Sequence, residues 1–150
     1  MNPQVRFQEL LAELAQALGR QSLPVAQDGT CTLIIDGQLP VNLAVDPQGR
    51  DLLIFSPLGK VPPERRAECF GHMLRANGAG TARYTLGLAR QSDIAILSAR
   101  RPLTDPAVPD LADAMAAFAQ TALRWQATLL APATAARADA SPPSSTWLQA

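Results

Sequence analysis

The chain has 150 residues, 47% hydrophobic and 17% charged, with thirteen Lys and Arg against thirteen Asp and Glu. That length suits one domain with a sizeable core, and a net charge of zero excludes a strong global field drawing in nucleic acid or a membrane surface. The charge is uneven: residues 1–59 carry three Arg and six acids, residues 60–101 carry Lys60 and seven Arg against three acids, and residues 102–150 carry two Arg and four acids.

A first helix is predicted from about Pro3 to Leu18. Asn2 can cap it, Pro3 fits its first turn, and Gly19 fits the position past its end. Phe7, Leu10, Leu11, Leu14 and Leu18 recur at helical spacing and form one apolar stripe. Arg6, Glu9 and Glu13 interrupt the apolar run that a signal peptide would need.

Residues 28–59 read as an antiparallel meander. Cys31–Ile35, Leu39–Val45 and Leu52–Phe55 are apolar runs separated by Asp36-Gly37 and by Asp46-Pro47-Gln48-Gly49. In the first two strands Cys31, Leu33, Ile35, Leu39, Val41, Leu43 and Val45 are all odd-numbered. A two-residue turn would split that set across two faces, whereas a three-residue loop with a glycine bulge keeps it on one. Ile34 then stands on the opposite face. The third strand is apolar on both faces, so its second face is expected to be covered at least part of the time.

Pro57 to Pro63 read as a link. A second helix follows, from about Pro63 to Asn77, with Ala67, Phe70, Met73 and Leu74 on a narrow apolar face. Gly71 inside it costs about 1 kcal/mol relative to Ala, which leaves close approach of another backbone or a tolerated imperfection as readings. Gly78-Ala79-Gly80 ends it. A fourth strand is predicted over 81–89 and a fifth over 94–98. The third helix starts near Thr104-Asp105-Pro106 or Pro109-Asp110 and ends before Pro132. Leu111, Met115, Phe118, Ala122, Trp125 and Leu129 form its stripe. The fold class is therefore α+β, in the order helix, three strands, helix, two strands, helix. Residues 1–131 form the domain, and 132–150, rich in Ala, Ser and Pro, are expected to be a disordered tail. Trp147 and Leu148 are its only large apolar residues.

Reactive chemistry is sparse. His72 is the single histidine and has no HExxH companion, so neither a metal site nor any cofactor is expected. Cys31 and Cys69 form no CxxC pair and read as small buried hydrophobes in a reducing compartment. Cys69 and His72 lie three apart on one helix, and a nucleophile pair from them, or from Cys31 and His72, is the enzymatic alternative. The stretch from Gly78 to Arg83 begins like a dinucleotide fingerprint but lacks the third glycine and precedes a strand rather than a helix.

The combination of FQELLAELAQALG, the run Asp28 to Asp36, Leu39-Pro40-Val41-Asn42-Leu43, Leu52 to Gly59, and Arg100-Arg101-Pro102-Leu103 before a helix ending near Leu123-Arg124-Trp125 resembles the class I type III secretion chaperones, the CesT/SycE-like family. The resemblance covers about residues 5–131. It implies a cytoplasmic bacterial homodimer that is not an enzyme. Such a protein binds an extended segment near the N-terminus of a secreted effector and keeps it export-competent. It implies the secretion ATPase or sorting apparatus as a further partner, and neither nucleic acid nor membrane. Carried over, the dimer interface falls on Phe70, Met73, Leu74, Tyr84, Leu86 and Leu88. Client contacts fall on Leu11, Leu14, Ile34, Leu53 and Phe55. The family is typically acidic, and this chain departs from it with a neutral balance and a basic middle, which points to a client segment less basic than usual. A regulatory module of the same fold that sequesters another cytosolic protein is the second reading.

Overall fold

The computed structural model describes residues 2–78, 83–104 and 111–131. Its elements are α1 (Pro3–Ala17), β1 (Cys31–Ile35), β2 (Leu39–Val45), β3 (Asp51–Lys60), a 3-10 turn (Pro63–Arg65), α2 (Arg66–Asn77), β4 (Thr85–Leu88), β5 (Ile94–Pro102) and α3 (Leu111–Leu130). The strands form one antiparallel sheet in the order β1-β2-β3-β5-β4. The predicted element order holds throughout, and the tail beyond residue 131 lies outside the described residues.

The Asn2 side chain accepts from Gln4 N at 2.9 Å, and Pro3 occupies the first turn of α1. β1 and β2 are joined by the three residues 36–38, with Ile35 opposite Leu39. Asp36 and Gly37 both have positive φ, and Gln38 N donates to Ile35 O at 3.2 Å. This odd-length loop puts Cys31, Leu33, Leu39, Val41 and Leu43 together in the core.

The β2–β3 turn is organised by Asp46. Its buried Oδ1 accepts from Arg50 N at 2.7 Å and Asp51 N at 3.0 Å. Gly49, with φ of +70°, passes so close to α1 that a Cβ would lie 2.7 Å from Pro3 Cγ. Arg50 O in turn accepts from Leu103 N, whose own carbonyl accepts from Arg6 Nε at 3.3 Å. One short turn thereby ties the start of α1 to the end of β5.

Four segments differ from the sequence reading. β3 runs on to Lys60 instead of stopping at Phe55, because β5 pairs with it along its whole length. A bulge between Pro57 and Gly59 accommodates the proline. Gly59, with φ of +126°, also leaves room for Leu130, whose Cδ1 would lie 2.8 Å from a Cβ there. β5 extends to Pro102 for the same pairing reason, and the described part of the fourth strand shrinks to four residues. Leu18 caps α1 and is 45% exposed; Ala15 takes its place in the core.

α1 and α3 stand on one face of the sheet, α1 against β2 and α3 against β2 and β3, while α2 packs on β4. Phe118, Ala122 and Leu129 of α3 are fully buried in the core they share with α1. The end of α3 is fixed by Arg65. Its buried Nη1 donates to the carbonyls of Thr128 at 2.9 Å and Ala131 at 2.8 Å, and Nε and Nη2 each reach Glu68 at 3.2 Å. A guanidinium suits this place because it can satisfy several orphan helix carbonyls and a carboxylate at once. Glu68 is held below the usual carboxylate range by that contact.

Candidate functional site

Core packing accounts for one face of the sheet only. In-register pairing lays out the other. Ile34 stands opposite Pro40. Asn42 faces Phe55, which faces Ser98 and through it Thr85. Ala44, Leu53 and Arg100 form the next row, and Pro57, Ile96 and Gly87 another. Ile34 is 57% exposed, and Pro40, Leu53, Phe55, Pro57 and Ile96 are half-buried. No described helix packs on these residues; they are an apolar sheet surface with Thr32, Asn42 and Ser98 set into it.

The two edges of the sheet differ. At β4 the Asn77 side chain acts as a substitute strand: Nδ2 donates to Leu86 O at 2.7 Å and Oδ1 accepts from Leu86 N at 2.9 Å. At β1 the chain covers only the beginning, through a single bridge between Val25 and Cys31. Thr32 to Ile35 remain an open edge among the described residues, with Ile34 on it. An extended peptide can add there as a further strand while its side chains meet the apolar face.

Of the expected client contacts, the structure brings Ile34, Leu53 and Phe55 together on this uncovered face. Leu11 and Leu14 are corrected: at 6% and 3% exposure they are core residues beneath the sheet's other side. Both were read from the same 3.6-residue stripe as Phe7 and Leu10, and a stripe gives a helix's inner face. The exposed large apolar residues of α1 are Val5 and the capping Leu18, which lie off or at the end of that stripe.

The expected dimer set also divides. Met73 and Leu86 are buried within the chain, where α2 meets β4. Tyr84 is half-buried with its ring edge-on to Phe118 at 5.7 Å. Phe70 is half-buried against the core with Arg66 over its ring at 5.6 Å, while Leu74 at 70% exposure and Leu88 at 42% face outward. A Cβ at Gly71 meets only the end of the Arg75 side chain, at 3.2 Å, so no backbone of the described chain requires glycine there.

The enzymatic alternative finds no geometry. Cys69 is buried, its Sγ is 3.6 Å from Leu129 O, and burial pushes its thiol pKa up, which disfavours the thiolate a nucleophile needs. His72 is exposed on α2 and lies 3.8 Å from Glu68 Oε1 instead. Burial also pushes the Cys31 thiol up. Among the described residues no cluster of His, Cys, Asp and Glu could hold a metal ion, and no helix is long and apolar enough to cross a membrane.

An antiparallel sheet with helices on one face, an apolar second face and an open edge has the geometry to accept an extended peptide. Residues 9–126 match the Tir chaperone protein (CesT) family, and the chain belongs to that family. The fold is that of solved chaperone complexes. A chain of the HopA1–SchA chaperone–effector complex aligns with a TM-score of 0.69 at 24% identity, over 82% of this chain and 94% of that one. A chain of the ExsC–ExsE complex aligns at 0.66 and 21% identity, over 88% and 100%. A chain of the complex of the Yersinia pestis type III secretion chaperone SycH with a fragment of YscM2 aligns at 0.64 and 21%, over 79% and 98%. No curated protein sequence matches the chain.

Proposed function

We propose that this protein is a cytoplasmic chaperone for a type III secreted effector, and that it holds an extended segment of its client along β1 and across the uncovered sheet face. The observation that carries this reading is the unpartnered apolar surface of Ile34, Leu53, Phe55, Pro57 and Ile96, continuous with an open strand edge. Backbone hydrogen bonds at such an edge are indifferent to sequence, and alternate side chains give the selectivity. Holding the segment extended keeps the client from folding before export, and no bond is made or broken, so the protein is not an enzyme. Support for the role comes from the family and from neighbours solved with an effector, HopA1 among them.

We further propose a homodimer formed through the outer surface of the α2–β4 unit, with Phe70, Leu74 and Leu88 at the contact. Leu74 and Leu88 are large apolar side chains left exposed on two elements that pack on each other.

The test begins with a pull-down from the source bacterium and identification of the captured effector. Its N-terminal segment is then titrated against the unmodified protein and Ile34→Asp. The expected outcome is unchanged circular dichroism and at least tenfold weaker binding, about 1.4 kcal/mol. Unchanged affinity with an intact fold overturns the sheet-face reading.

A further inference from the structure

A second concave feature lies on the helix-bearing side, and its chemistry differs from that of the uncovered sheet face. A cleft of about 400 Å³ opens between α3 and the end of β5, within the range of ligand-sized sites, ~300–1,000 Å³. Its floor is apolar: Ile54 and Phe118, both fully buried, with Tyr84 edge-on to Phe118. Besides Phe118, α3 turns only small side chains toward it, Ala114 and Ala117, which leaves the space open. Two arginines flank this floor, Arg83 and Arg101, while Arg100, in register with Leu53, sets its side chain on the opposite face of the sheet. Arg100 has Asp51 at 3.6 Å and Asp46 at 4.0 Å. Among the described residues no carboxylate forms an ion pair with Arg83 or Arg101.

We infer that this cleft takes an acidic stretch of the client, a large apolar side chain flanked by Asp or Glu. The inference rests on the chaperone reading for the source of the peptide. The argument is charge and shape together. The apolar floor selects an apolar group over a solvated ion alone. Guanidinium groups offer paired donors that match a carboxylate. The cleft's arginines come from the stretch from Lys60 to Arg101, which holds eight basic residues against three acids in a chain of zero net charge. A segment of the complementary sign is drawn to this region and not to the acidic first third.

Three fluorescein-labelled peptides test it: one with Asp-Leu-Phe-Glu at its centre, one with Lys-Leu-Phe-Lys, and one with Asp-Ser-Ser-Glu. In anisotropy titrations at about 0.1 M salt the first is expected to bind at least tenfold more tightly than the other two. At about 1 M salt, where the screening length falls from about 10 Å to about 3 Å, its advantage over the lysine peptide should vanish. Arg83→Glu with Arg101→Glu should abolish the preference. Should that double variant not fold, Ala117→Leu, which fills the cleft at an exposed helix position without changing charge, should weaken the first peptide at least tenfold. Ile34→Asp, on the sheet's other face, should leave it unaffected, so a failure here and a failure of the sheet-face reading are separable. Equal binding of the three peptides overturns the inference, as does Asp-Leu-Phe-Glu binding that survives both cleft variants. Displacement by inorganic phosphate as readily as by unlabelled peptide would make the cleft a plain anion site. A dimer lost in the arginine variant with no peptide binding would assign it to a second copy. Either result also overturns the inference.

Discussion

The two faces of the sheet carry comparable apolar side chains and have opposite fates. On one, Leu39, Val41, Leu43, Ile54 and Leu97 are at most 1% exposed, under α1 and α3. On the other, Ile34 is 57% exposed and Leu53, Phe55 and Ile96 are half-buried, with nothing of the described chain above them. Hydrophobicity of a strand therefore does not tell whether its side chains hold the fold together or wait for another chain. Helices settle it, by standing on one face only. The first face is a stability element, and the second is apolar surface that no described helix covers.

Matched truncations should expose this difference most sharply. Phe118→Ala, in the covered core, removes a fully buried ring and should cost about 3–5 kcal/mol of stability. Phe55→Ala, on the uncovered face, should cost far less, about 1 kcal/mol or below, and should instead weaken capture of the client segment. Chemical denaturation of both variants beside a client titration gives the readout. Equal destabilisation would mean that the second face is also core.

The outer surface of α2 offers a second comparison, between the apolar patch proposed for a client and the one proposed for a second copy of the chain. Phe70→Arg places an unpaired charge in the proposed dimer contact, where desolvation penalises it heavily. Association should weaken at least a hundredfold, about 2.7 kcal/mol, with the monomer still folded. Sedimentation equilibrium measures it. A monomeric unmodified protein at micromolar concentration would refute the dimer.

A smaller effect is expected from acid. Backbone hydrogen bonds from Asp51 and Arg50 hold the Asp46 carboxyl below the usual range, and Arg65 does the same for Glu68. A depressed pKa in the folded state contributes stability above the unfolded-state values, about 3.9 for Asp and 4.3 for Glu. That contribution is lost as pH falls through the lower folded values. The melting temperature should drop below about pH 4, and Asp46→Asn should make the drop shallower. An unaltered acid slope in that variant would show that the turn's carboxylate is not what titrates.

Much of this was legible in the sequence for reasons that can be named. The odd-numbered set from Cys31 to Val45 fixed the loop length and the exposure of Ile34, because a pleated strand alternates faces with a period of two. The α3 stripe gave five of its six buried residues, with Trp125 half-buried and Ala119 unforeseen, since apolar positions at 3.6-residue spacing specify one helix face. What was not legible required knowing which elements meet. Pro57 and Gly59 read as a break, yet β5 pairs straight through them at a bulge. Leu11 and Leu14 were legible as inner-face residues from the α1 stripe, and only their assignment to client contact failed, since α1 lies flat on β2. Arg65 and Asn77 gave no sequence signal at all. Each serves through backbone groups of a distant element, the end of α3 and the strand β4.

The smallest expected effect concerns the tail, and it bears directly on whether the second face is uncovered in solution. Residues 132–150 follow α3 and hold two large apolar side chains, Trp147 and Leu148. If these covered Ile34 and Phe55, the contrast between the faces would be a matter of degree, and the tail would compete with the client. Their composition argues against it: two apolar residues among Ala, Ser, Thr and Pro bury too little surface to offset the ordering of nineteen residues. Truncation after Ala131 should therefore leave the melting temperature within about 4 °C, roughly 1 kcal/mol for a domain of this size. Client affinity should be unchanged as well. A larger drop in melting temperature, together with tighter client binding, would show the tail docked on the second face. The chaperone would then be self-occluded until its effector displaced the tail.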